Sequence, residues 1–171
     1  MEVRVSRMTK SISRGFVLAA GLLASTAVAG PDQTTAETVS RKDPRWILVK
    51  QFFLENGAPA HEYTEDFLIA ADQNGLDWRL LPVLSMVESG GGKASKNNNI
   101  FGWANGDTKF ASNRDGIYRV ASRLKHSKFY KGNRSLDKLL RTYNPREDYG
   151  LKVKAVMNRL GPARLMPAGA Y

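Results

Sequence analysis

The sequence predicts a mainly α-helical domain of about six helices with one small β-hairpin lobe. Three observations predict it. Apolar residues recur at helical spacing in six separate segments, each bounded by capping or breaking residues. Residues 100–110 instead show two-residue alternation around Asn105-Gly106, a strong hairpin-turn pair. The chain has 171 residues and no Cys, so one apolar core, unassisted by disulfides, must hold the fold.

The first helix starts at Asp43-Pro44, an N-cap followed by a proline whose missing N–H costs nothing there. Trp46, Ile47, Phe53 and Leu54 form its expected apolar stripe, and Asn56-Gly57 stops it. Thr64 is the expected cap of a second helix bearing Phe67, Leu68 and Ala71 and closed by Gly75. The third carries Leu81, Leu84 and Glu88 on one face, with Pro82 in its first turn. In the hairpin that follows, alternation places Phe101, Trp103 and Phe110 on one face and Ala104, Asp107 and Lys109 on the other. Ser112-Asn113-Arg114-Asp115 resembles a capping box and opens a helix with Ile117, Val120, Ala121 and Leu124 inward. Ser135 caps a fifth helix with Leu136, Leu139, Leu140 and Tyr143 on one side, ended by Asn144-Pro145. The last carries Val153, Val156, Met157 and Leu160 and stops at Gly161.

Residues 1–29 read as a cleavable signal peptide. Arg4, Arg7, Lys10 and Arg14 are basic, the following stretch is apolar and short, and Ala27-Val28-Ala29 is a small-x-small cleavage site. Residues 30–43 read as a flexible linker and 44–171 as the one folded domain. After leader removal no stable membrane insertion is expected, and the protein is placed in the periplasm or outside the cell. The net charge is +10, of which the leader contributes +3. The surplus on the mature chain suits an anionic cell wall. Basic residues are scattered without interleaved aromatics, so no nucleic-acid partner is expected. Without Cys, and with His61 and His126 far apart in sequence, no metal site and no cofactor are expected. Gly90-Gly91-Gly92 follows a helix and so lacks phosphate-cradling geometry. The chain is expected to be a monomer.

Glu88 is a lone acid at the end of an apolar helix. A carboxyl among apolar groups keeps its proton more readily, and a protonated carboxyl can donate to a glycosidic oxygen. The same position equally fits an ordinary last-turn residue solvated at the helix end. Asp107 is the best-placed second carboxylate, although Asp beside Asn-Gly is also common turn chemistry. Phe101 and Phe110 are read as core filling. Trp103 is the aromatic expected to touch a sugar ring, since its indole N–H also needs a partner. Tyr143 can orient substrate through its hydroxyl, or stand as a half-buried aromatic at a helix end.

The stretches VESGGGKASKNNNIFGW, KFASNRDGIYRVASRL, YKGN and LLRTYNPREDYGLKVKAVMNRL resemble the glucosaminidase family of bacterial peptidoglycan hydrolases, glycoside hydrolase family seventy-three, over residues 76–160. The resemblance implies a lysozyme-like helical fold with a small β lobe. It implies cleavage of the β-1,4 bond after N-acetylglucosamine in peptidoglycan glycan strands. On it Glu88 matches the general acid and Tyr143 the active-site tyrosine, with Asp107 the remaining catalytic candidate. Asn98, Asn99, Phe101, Gly102 and Trp103 match the loop beside the cleft, and Asn144 joins them as a substrate-binding residue. The β lobe is shorter than in many members, and Asp107 is its one acid. Assistance by the substrate's 2-acetamido group therefore stands beside a two-carboxylate route. A lytic transglycosylase on the same fold and a non-catalytic wall-binding module are the alternatives.

Overall fold

A computed structural model describes residues 43–131 and 135–165. The expected leader, all of the expected linker except Asp43, and Gly132 and Asn133 of the YKGN stretch lie outside the described residues. Among those described, the chain forms six α-helices and no strand: α1 Pro44–Glu55, α2 Thr64–Gln73, α3 Leu80–Ser89, α4 Asn113–His126, α5 Leu136–Tyr143 and α6 Glu147–Leu160. Two 3-10 turns, Pro59–Tyr63 and Trp103–Gly106, join them. The mainly helical class is as predicted.

α3 is the central element. Its residues are apolar almost all round, as a helix surrounded by others must be, and Leu80, Leu81, Pro82, Val83 and Leu84 are all buried. α2 packs against α1, α3 and α4, while α6 packs against α1, α3 and α5. Phe53, Phe67 and Phe101 run through the interior with ring centroids 5.3 and 6.3 Å apart. The inner faces of α4 (Ile117, Val120, Ala121, Leu124) and α6 (Val153, Val156, Met157, Leu160) are those the spacing predicts. Asp43, Ser112 and Ser135 each cap their helix by accepting a backbone N–H two or three residues on.

Three expectations are corrected. The inward face of α1 is Arg45, Val49 and Phe53, whereas Ile47 and Leu54 are about half exposed, at 43% and 51%. Arg45 is drawn inward because its guanidinium bonds Asp43 and Asp72 at 2.8–3.2 Å, which compensates its desolvation. Thr64 does not cap α2. The preceding 3-10 turn already supplies the first turn, and the Thr64 hydroxyl donates backward to the His61 carbonyl at 2.9 Å.

The third correction is the hairpin. Asn105 and Gly106 do form the expected turn, both with positive φ (56° and 88°), and the Asp107 N–H donates to the Ala104 carbonyl at 3.0 Å. The arms do not extend from it. Gly102 and Ala104 are also left-handed, at φ 58° and 53°, which winds the segment into a 3-10 turn. The amide of buried Asn99 takes the place of a ladder. Its Oδ1 accepts from the Trp103 N–H at 2.8 Å, and its Nδ2 donates to the Trp103 and Thr108 carbonyls at 2.9 and 3.1 Å. The shared face consequently dissolves: Phe101 and Phe110 enter the core, while Trp103 stays half-exposed.

Candidate active site

Glu88 lies in the last turn of α3. The helix ends at Gly90, left-handed at φ 64°, whose N–H returns to the Met86 carbonyl. Gly91 then passes so close to the α1–α2 connection that a Cβ there would stand 2.6 Å from that of Ala58. This close approach is what the glycine run permits. It folds the chain back so that Ser89 Oγ can donate to the Ile100 carbonyl at 2.7 Å, tying the following loop to the acid's own helix.

Around Glu88 stand groups from three elements. The Tyr149 hydroxyl, from the first turn of α6, donates to Glu88 Oε1 at 2.5 Å. Gly102, from the loop, lies on the other oxygen's side: a Cβ there would be 3.2 Å from Oε2. Tyr143, at the end of α5, donates its hydroxyl to the Phe101 carbonyl at 2.8 Å and stacks on Tyr149, with ring centroids 5.9 Å apart and planes 13° off parallel. Trp103 meets Tyr143 edge-on at 5.7 Å and Tyr130 at 6.2 Å, with the Arg123 guanidinium over its face at 5.7 Å. The result is a continuous aromatic wall, Tyr130–Trp103–Tyr143–Tyr149, that ends on the carboxylate.

Tyr130, Trp103 and Tyr143 of this wall line a cleft of about 280 Å³, together with Glu88, Phe101, Gly102, Ala104, Asn105 and Asn144. Glu88 is the one carboxylate among these lining residues. Burial, and then the nearby Glu88 carboxylate, hold the Tyr143 hydroxyl well above its usual pKa. Tyr149 is raised by burial and by its bond to Glu88. Both phenols are therefore neutral donors near neutral pH. Ala104 occupies the left-handed region at φ 53° and ψ 50°, a strain of about 1–2 kcal/mol for a residue with a Cβ, and it sits on the cleft wall.

Six residues singled out in the sequence thus meet at the cleft: Glu88, Tyr143, Phe101, Gly102, Trp103 and Asn144. Phe101 contributes backbone, since its ring is buried against Phe67. Asn98 and Asn99 stand behind the wall as braces, Asn98 through Nδ2 to the Phe110 and Ala111 carbonyls. Asp107 is exposed on the turn and does not line the cleft. The sequence reading missed Tyr130 and Tyr149. The signal for Tyr149 was its place four residues before Val153, on the inward stripe of α6.

Among the described residues, no group of three or more His, Asp or Glu is placed to hold a metal ion, and no helix is long and apolar enough to cross a membrane. Compared with known proteins, the chain matches no family model, no curated protein and no solved structure.

Proposed function

We propose that the protein is an exported glycosidase of lysozyme-like fold that cleaves the β-1,4 bond after N-acetylglucosamine in peptidoglycan, with Glu88 as general acid. The observation that carries this reading is the single carboxylate at the end of an aromatic-walled cleft, with one oxygen engaged by Tyr149 and the other turned toward the loop. Because the Tyr149 hydroxyl occupies Oε1 as a donor, the transferable proton belongs on Oε2. From there it passes to the glycosidic oxygen as the bond to the anomeric carbon breaks. Aromatic faces at Trp103 and Tyr130 suit stacking against sugar rings, and the basic surplus of the chain suits an anionic wall.

Among the described residues no second acid lines this cleft, and Asp148, which lines an adjoining smaller one with Glu88, is paired with Arg146; this favours help from the substrate. The 2-acetamido carbonyl oxygen attacks the anomeric carbon as the leaving group departs. Water then opens the cyclic intermediate, and its proton returns to Glu88. The same absence favours a second reading, a lytic transglycosylase, in which the sugar's own 6-hydroxyl closes the ring.

Digestion of purified peptidoglycan by wild type and Glu88→Gln, with mass spectrometry of the fragments, tests both. Reducing N-acetylglucosamine ends from wild type alone support the hydrolase. Anhydro-muramyl ends assign the transglycosylase. Wall binding without fragments from either protein assigns a non-catalytic module.

A further inference from the structure

The chain holds three Asn-Gly pairs: Asn56-Gly57, Asn74-Gly75 and Asn105-Gly106. An Asn side chain and the backbone nitrogen after it can close into a cyclic imide. Glycine in the second place leaves that nitrogen unshielded, because it has no Cβ. The three pairs share this chemistry and differ in how the fold holds them.

Asn56 and Asn74 are the C-caps of α1 and α2. Both side-chain amides are engaged. Asn56 Nδ2 donates to the Phe52 carbonyl at 2.7 Å, and Asn74 Nδ2 to the Ala70 carbonyl at 2.8 Å. Each glycine also has a lysine beside it: a Cβ on Gly57 would stand 3.7 Å from Lys93 Nζ, and one on Gly75 3.4 Å from Lys125 Nζ.

Asn105 has neither restraint. It is exposed in the turn Trp103–Gly106, and among the described residues its side chain makes no hydrogen bond. A Cβ on Gly106 would meet nothing within 4 Å. Ring closure must free the Gly106 N–H from the Gly102 carbonyl at 3.1 Å, but the Gly57 and Gly75 N–H groups are bonded too, at 2.9 and 3.0 Å. That bond therefore does not separate the three pairs. It must also turn the Asn105 carbonyl away from ψ 25°. No residue from Trp103 to Thr108 is buried, so this rotation disturbs no core packing.

We infer that Asn105 is a deamidation site in the lining of the Glu88 cleft. The Gly106 nitrogen loses its proton and attacks Asn105 Cγ. The new N–C bond forms, the Cγ–Nδ2 bond breaks, and Nδ2 takes up a proton and leaves as ammonia. Water then opens the imide at either carbonyl, giving aspartate or its β-linked isomer. In sum, one amide and one water become one carboxylate and one ammonium, with no change of oxidation state. Asn105 lines a cleft in which Glu88 is the one acid, so conversion brings a second negative charge there. The reaction does not depend on what the cleft binds.

The test ages the folded protein in mildly alkaline buffer beside a sample kept in urea. Peptide mapping by mass spectrometry follows replacement of each amide by acid, and an isoaspartyl methyltransferase labels the β-linked product. In the folded protein Asn105 should convert about five- to tenfold faster than Asn56 or Asn74, the factor that one net side-chain hydrogen bond supplies. In urea the three rates should converge. Asn105→Gln, with a longer side chain, should silence this site and leave the other two rates as they were. Equal rates in the folded protein, faster conversion at Asn56 or Asn74, or a lead at Asn105 that persists in urea overturns the inference.

Discussion

Tyr149 donates its hydroxyl to Glu88 Oε1 across 2.5 Å, joining residues 61 apart in the chain. The bond fixes the carboxyl plane relative to the cleft and distinguishes its two oxygens. The Tyr149 ring is itself held, stacked on Tyr143 and buried on the inner face of α6, so the donor is positioned before any substrate arrives.

Tyr149→Phe keeps this stacking and removes only the donor. Turnover of peptidoglycan should fall about ten- to a hundredfold while substrate binding stays near wild type. Separate determination of kcat and KM checks this. A change confined to KM would assign Tyr149 to substrate contact instead of to the acid.

Gly102→Ala places a methyl 3.2 Å from Glu88 Oε2 at a residue with φ +58°. The left-handed backbone should cost roughly 1–2 kcal/mol of stability. Crowding at Oε2 should lower activity beyond what that loss explains. Urea unfolding and initial rates on one protein preparation separate the two effects.

Arg45 and Asp43 form a buried pair, with side chains 7% and 4% exposed, and Asp72 takes the other edge of the guanidinium at 2.8 Å. Arg45→Met leaves the Asp43 carboxylate buried without its cation and should cost roughly 3–5 kcal/mol. Adding Asp43→Asn should restore part of the loss, because an amide still caps α1 and no charge remains to be buried. Chemical denaturation of the two variants measures the difference.

Alkaline pH should destabilise the fold through its tyrosines. Burial and then the Asp66 carboxylate push Tyr118 up to about 12, and Tyr143 and Tyr149 are raised as well. The unfolded chain loses these protons near the ordinary value of 10. A raised folded-state pKa therefore gives stability that is complete below pH 10 and is lost as pH climbs toward 12. Denaturant midpoints measured across that window should fall, and Tyr118→Phe should flatten part of the decline.

Periodicity and caps made most helices legible. The stripe Ile117, Val120, Ala121, Leu124 is buried as its spacing predicts, and Ser112 caps its helix. Failure came where a distant partner outweighed a local rule. Arg45 turns inward because Asp72 lies 27 residues on, which displaces Ile47 to the outside. Asn105-Gly106 makes its turn, yet the Asn99 side chain takes the hydrogen bonds that strand arms would have exchanged. At the cleft, Glu88 and Trp103 were visible from residue type and neighbourhood. Tyr149 was not, because its importance exists only once α6 lies against α3.

One amide therefore does the work of a strand pairing. Asn99 holds the turn between Trp103 and Thr108, while Ile100, Phe101 and Phe110 seat the rest of the loop in the apolar core. Asn99→Asp would remove two donated bonds and loosen the turn from Trp103 to Thr108, none of whose residues is buried. A scaffold built this way can acquire a differently shaped mouth by local sequence change, leaving the position of the acid to its helix.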